Sequence, residues 1–222
     1  MSEYQHGVYR KILEKTAKAL EANNMKCFIA EKKEEVPDIV KGLLTEGCTV
    51  TCGGSMTLEE CGAAALLRSG AYNFLDRTGK SREETEAIYR AAFSADAYLT
   101  SSNAITENGE LYNVDGNSNR VAAICFGPKS VIVIAGRNKI VRTLDDAAVR
   151  VKRYAAPMNT ARLGCETYCH AKGECMSLAS GNSCMTSGCK SDGRICCSYV
   201  VTAQQRIKDR IKVILVNEEL GF

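Results

Sequence analysis

The segments Val131–Ala135 (VIVIA) and Ile211–Val216 (IKVILV) constrain this chain most. They are almost unbroken apolar runs rich in β-branched residues, the pattern of strands buried on both faces. Such strands need helices on each side of the sheet, and the rest of the sequence supplies helical patterns. Val8, Ile12, Thr16, Ala19 and Leu20 recur at three- and four-residue spacings, and Asn23-Asn24 ends that helix. Cys27–Ala30 then reads as a strand, and a helix from Pro37 to Leu44 is closed by Gly47. The strand Cys48–Cys52 leads into Gly53-Gly54-Ser55, a helix over Leu58–Arg68 and a short strand at Tyr72–Leu75. Ser81 and Glu84 have capping-box spacing, which starts a helix running to Phe93. Asn108-Gly109 signals a hairpin between Ile105–Glu107 and Glu110–Tyr112. Val121–Phe126 reads as another doubly buried strand, and Leu144–Ala155 as a helix ended by Ala156-Pro157. The whole predicts an α/β fold: an open, mostly parallel sheet flanked by helices, with an antiparallel hairpin insertion and a Cys-rich C-terminal extension.

The net charge of +3 is too small, and too evenly spread, to point to nucleic acid. There is no run of about 18 apolar residues that would span a membrane. The first residues carry charges throughout and lack the apolar core of a signal peptide, so the expected location is cytoplasmic. Thiols stay reduced there, which disfavours a disulfide mesh.

Chemistry can sit in two places along the α/β pattern. CGGSMTLEECG, residues 52–62, is a strand, a glycine turn and a helix start. Gly53 and Gly54 let backbone approach an anion, and Ser55 and Thr57 add hydroxyl donors. The blander alternative is that Thr57 and Glu60 form only a capping box. The second constellation is Asn103, Glu107, Asp115, Asn117, Asn119 and Arg120. Asp115 is a candidate base or cation ligand, and Arg120 a fork for a carboxylate or phosphate. Turn-building Asx residues explain the same spacing equally well. Gly127-Pro128-Lys129 and Gly136-Arg137-Asn138-Lys139 follow strand ends and could lend positive charge to an anionic ligand, though singly their lysines read as solvated. With only His6 and His170, a histidine triad or His-rich zinc site is nearly excluded. Cys52 and Cys61 read as small buried apolar residues.

The blocks GGSMTLEECG, ADAYLTSSNAITENGELYNVDGNSNRVAAICFGPKSVIVIAGRNKIV and Ala155-Ala156-Pro157 resemble the LUD-domain family, the lactate-utilisation proteins. The resemblance covers essentially the whole chain. It implies the fold of ribose-phosphate isomerases, glucosamine-phosphate deaminases and CoA transferases (NagB/RpiA/CoA transferase-like), in which a glycine turn cradles phosphate or substrate. It also places Glu60, Asn103, Glu107, Asp115, Asn119 and Arg120 at motif positions, without settling their roles. Family members are linked to oxidation of lactate to pyruvate alongside iron–sulfur partner subunits.

Seven of the twelve cysteines fall within residues 165–197, at gaps of C-x3-C-x5-C-x8-C-x4-C-x6-C-C. None of these gaps is C-x2-C, so no standard zinc or ferredoxin motif applies. The tail resembles that of LUD proteins of similar length, and this resemblance nominates Cys169, Cys175, Cys189 and Cys196 as ligands of an iron–sulfur cluster or zinc. Cys165, Cys184 and Cys197 are left as spares. Free or redox-active thiols rank next, and disulfides last. The expected division is a LUD α/β domain over 1–160, a metal-binding segment over 161–200 that is an appendage to that domain, over a hundred residues after the ligand turn in sequence, and a returning strand within 201–222. Three functions follow. The first is an accessory component of oxidation of lactate or a related 2-hydroxy acid. The second is an isomerase or CoA-transferase-like enzyme using Glu60, Glu107 or Asp115 as base or nucleophile, with structural zinc. The third is a non-catalytic ligand-binding regulatory module. The expected partners are a small anionic ligand (organic acid, sugar phosphate or acyl-CoA) and iron–sulfur redox subunits, with homo-oligomer formation left open.

Overall fold

The computed structural model describes residues 3–182 and 184–222. Ten strands form two sheets: β1 Lys26–Ala30, β2 Thr49–Cys52, β3 Asn73–Phe74, β4 Ala97–Thr100, β5 Ala104–Thr106, β6 Leu111–Asp115, β7 Ser130–Gly136, β8 Ile140–Val141, β9 Ser198–Thr202 and β10 Ile211–Val216. The larger sheet has the order β1-β10-β7-β4-β2-β3, and every neighbouring pair in it is parallel. The smaller sheet, β8-β5-β6-β9, joins an antiparallel hairpin across Asn108-Gly109 to a parallel and an antiparallel neighbour. The fold is therefore the expected α/β class with a mixed second sheet.

Alternation along the central strands divides the core between two faces. Ile132 and Ile134 of β7 and Ile214 and Val216 of β10 face one way, against helices α2 (Val36–Leu43), α3 (Met56–Glu60) and α4 (Ala63–Leu67), with α1 (Glu3–Ala22) on the opposite face. Val131, Val133, Val213 and Leu215 face α1, through Leu13 and Leu20, together with the smaller sheet. Each such side chain, fully buried, contributes about 1.5–3 kcal/mol, so the two runs that define the sequence also anchor both halves of the core.

Ser81 caps α5 (Arg82–Ala91) as its spacing predicts, accepting from the Glu84 N–H while Glu84 accepts from the Ser81 N–H. Ser81→Ala should cost about 1 kcal/mol, read as a lower urea midpoint at unchanged m-value.

Three local expectations are corrected. Val121–Phe126 is not a strand: Asn119–Cys125 is helix α6, with Val121, Ala123 and Ile124 buried. A short run that is apolar nearly all round has no readable period, so strand and buried helix look alike. The helix expected over Leu58–Arg68 is two short ones, broken where Gly62 takes φ +75°. The helix from Leu144 does not stop at Pro157. It runs as α7 (Leu144–Arg150), a π-helical turn over Val151–Ala155 and α8 (Ala156–Leu163). The wider turn puts Pro157 in the first turn of α8, where a missing N–H costs little. Two short helices follow, α9 (Tyr168–Lys172) and α10 (Met176–Ala179). Among the described residues no helix is long and apolar enough to cross a membrane.

Candidate functional site

In open α/β sheets ligands bind outside the carboxyl ends of the strands. Here β2, β4 and β7 end at Cys52, Thr100 and Gly136, and the loops that follow them converge on a cleft of about 350 Å³. That volume suits a small ligand. Gly53 is held there by its N–H to the Leu99 carbonyl (3.0 Å). A Cβ on it would lie 3.1 Å from the Tyr98 hydroxyl and 3.3 Å from Arg120 Cδ, so a side chain there would press on both neighbours.

Of the candidates read from sequence, Gly53, Gly54, Ser55, Thr57, Asn103, Asp115, Asn119 and Arg120 all line this cleft. Glu60 and Glu107 do not. Glu60 faces a separate cavity and accepts the Gly221 N–H at 2.7 Å, while Glu107 pairs with Lys15 at 2.6 Å. Thr57 and Glu60 thus have capping-box spacing without the box. Ser55 is the N-cap and makes no side-chain cap bond. Thr57 instead donates to the Leu220 carbonyl and accepts from Lys139. At five residues α3 is also too short for its dipole to carry anion binding, which shifts that task to side chains.

Arg120 and Asp115 form the rigid floor. The guanidinium donates through Nε to Asp115 Oδ1 (2.9 Å), through Nη1 to the Ser101 carbonyl (3.0 Å) and Asn113 Oδ1 (2.6 Å), and through Nη2 to Asn103 Oδ1 (2.7 Å) and the Val114 carbonyl (3.1 Å). A guanidinium has five N–H donors, and all five have protein acceptors. Asp115 is buried and spends its other oxygen on the Val121 N–H at the start of α6. The pair therefore sets the shape of the loop and offers an incoming ligand no free fork.

Cationic side chains surround this floor, and two of them, Arg77 and Arg162, were missed by the sequence reading. Arg77 donates to the Tyr89 hydroxyl at 2.6 Å and lies over its ring, and Arg162 bonds Asn159. Lys139, expected at the surface, is buried. Four cationic side chains line the cleft against one carboxylate side chain, Asp115, among the described residues. The site is electropositive, and an anion suits it. Only the position of Lys139 at a strand end hinted at this; its burial depends on the whole tertiary fold.

The four nominated cysteines come together elsewhere. Cys169, Cys175, Cys189 and Cys196 line one small cavity of about 20 Å³, beside Tyr112, Lys152 and Tyr199. Cys165, Cys184 and Cys197 do not line it. Among the described residues no three His, Cys, Asp or Glu side chains are grouped as they would have to be to hold a metal ion. No disulfide is formed, and all twelve cysteines are free thiols. Burial pushes the Cys189 thiol up, but hydrogen bonds from Ser191 and the nearby Arg194 charge outweigh it and leave it below the ordinary thiol range. Arg194 also donates to Cys196 Sγ at 3.3 Å.

The Cys-rich segment, far from the ligand turn in sequence, lies near it in space. Cys196, Val151 and Ala156 line both the cleft and the thiol cavity, so a single layer of side chains separates the two.

The model of the LUD domain matches residues 13–216. The chain belongs to the LUD-domain family. It is a protein of lactate-utilisation type, and the match covers both sheets and the Cys-rich segment between β8 and β10. A DUF162 family protein from Deinococcus radiodurans is similar in structure, at TM-score 0.55 and 15% identity, covering 94% of this chain and 98% of that one. At that identity the likeness shows a shared LUD fold. The δ and β subunits of eIF2B from Chaetomium thermophilum align at TM-score 0.34, with 19% and 14% identity over 50% and 51% of this chain and 49% and 44% of theirs. No curated protein matches this LUD chain.

Proposed function

We propose that this LUD protein is an accessory component in oxidation of lactate or a related 2-hydroxy acid. It holds the organic acid in the electropositive cleft and a Cys-ligated iron–sulfur or zinc centre behind it. The observation that carries this reading is the shared wall of Val151, Ala156 and Cys196, which brings the two sites within side-chain distance of each other.

The residues around the thiol cavity fit a negatively charged centre. The Tyr112 hydroxyl is buried there without any hydrogen-bond partner among the described residues. Buried hydroxyls are rarely left so, and a thiolate-rich centre would accept from it. Lys152, also buried, bonds Ser177 and the Cys184 carbonyl and has no carboxylate in ion-pair range among the described residues. Its charge would offset thiolates nearby. Cys169, Cys175, Cys189 and Cys196 would hold the centre; iron–sulfur would supply one-electron transfer, and zinc a staple for the segment.

The isomerase or transferase reading is less well supported, because two of its three candidate carboxylates, Glu60 and Glu107, lie outside the cleft. Anaerobic purification followed by metal and acid-labile sulfide analysis tests the proposal. Brown protein with iron and sulfide near stoichiometry supports it. One zinc per chain and no visible absorption removes the electron-transfer part, and metal-free protein removes the centre altogether.

A further inference from the structure

Lys139 closes the 3₁₀ turn Arg137–Lys139 after β7 and lines the cleft with only 3% of its surface exposed. Its Nζ donates to Thr57 Oγ1 and Ser101 Oγ, each at 2.9 Å. An ammonium has three donors, so one remains for the cleft. Among the described residues no carboxylate comes within ion-pair distance of it. The charged groups facing it are the Arg120 guanidinium on α6, the Arg150 guanidinium on α7 and, with opposite sign, Glu60 on α3. Glu60 is already engaged by the Gly221 N–H. Burial first, and the two guanidiniums next, push the Lys139 amine down to about 7.

A buried cation lacking its counter-charge is costly, and an arriving anion relieves that cost. Arg120 cannot play this part, because its five donors are taken. We propose that Lys139 is the receptor for the carboxylate of a small organic acid bound beside the Gly53–Thr57 turn, and that binding draws a proton onto its amine. The Thr57 and Ser101 hydroxyls aim the ammonium by accepting two of its protons, and the third is left to meet the acid. This rests on the organic-acid reading above and names the group that recognises the acid.

The sign of the pH dependence follows. In the free protein Lys139 loses its proton as pH rises through about 7. A bound carboxylate keeps the proton on to higher pH. Affinity should therefore be flat below that point and fall about tenfold per pH unit above it.

Calorimetric titration of the full chain with pyruvate and with lactate, in two buffers of different ionisation heat, tests this. Near pH 8 wild type should take up close to one proton per acid bound, and near pH 6 almost none. Lys139→Met should weaken binding by at least about 30-fold and abolish the uptake. Lys139→Arg should bind without proton uptake, since an arginine keeps its charge. Proton-independent binding by wild type, or undiminished binding by Lys139→Met, overturns the assignment and leaves the organic-acid reading standing. If neither acid gives heat or raises the melting temperature of wild type, the organic-acid reading itself fails, and the assignment fails with it.

Discussion

Replacing Arg120 by methionine should lower the unfolding free energy by about 3–5 kcal/mol, the usual cost of leaving one member of a buried ion pair alone. Asp115 is only 8% exposed and would lose its one cationic partner. Four further acceptors, on Ser101, Asn103, Asn113 and Val114, would each lose one donor at the same time, although the Thr100 hydroxyl still serves Ser101 and the Val114 N–H still serves Asn103. These acceptors come from β6 and from the loop joining β4 to β5, so the damage reaches the connection between the two sheets. The double variant Arg120→Met/Asp115→Asn should recover part of the loss, because no unpaired charge then stays buried. Urea unfolding of the three proteins measures it directly. A cost below about 1 kcal/mol for the single variant would mean that water replaces the lost hydrogen bonds and that the network adds little to stability.

The second large effect is expected at the thiols. Cys175→Ser and Cys189→Ser, each at a buried position proposed above as a ligand, should reduce bound metal to a small fraction of wild type. They should also lower the melting temperature of the loaded protein, since Cys-bound structural metals contribute apparent binding energies of about 10–16 kcal/mol. Cys184→Ser and Cys197→Ser, at exposed positions away from the cavity, should leave both quantities unchanged. Elemental analysis and melting curves, with and without a chelator, separate the two sets. Unchanged metal in all of Cys169→Ser, Cys175→Ser, Cys189→Ser and Cys196→Ser would dismiss the ligand assignment.

Much of the architecture could be read directly from sequence. VIVIA and IKVILV announced a sheet covered on both sides, and Asn108-Gly109 its hairpin. The cleft was legible as two separated clusters, the glycine turn and the Asn103–Arg120 block, because strand-end turns in such folds share one edge. What failed was tied to tertiary partners. Val121–Cys125 has no period to betray a helix. Thr57 and Glu60 have the spacing of a helix cap but bond to residues 220 and 221, which no local rule could connect to them. Arg120 looks like a ligand fork until its five acceptors are seen together. Lys139 is an ordinary loop lysine until α3, α6 and α7 close around it.

The place of β10 has a consequence for how the protein is made. β1 has one neighbour in the sheet, β10, which lies between it and β7. A chain emerging from the ribosome therefore completes α1 and β1 early but cannot dock them edge-on until residues 211–216 appear. By then the Cys-rich segment has already been synthesised. The thiols are thus all synthesised while the sheet still lacks the strand that joins β1 to β7, so a metal centre of the kind proposed would have to be loaded in the same interval in which the fold closes.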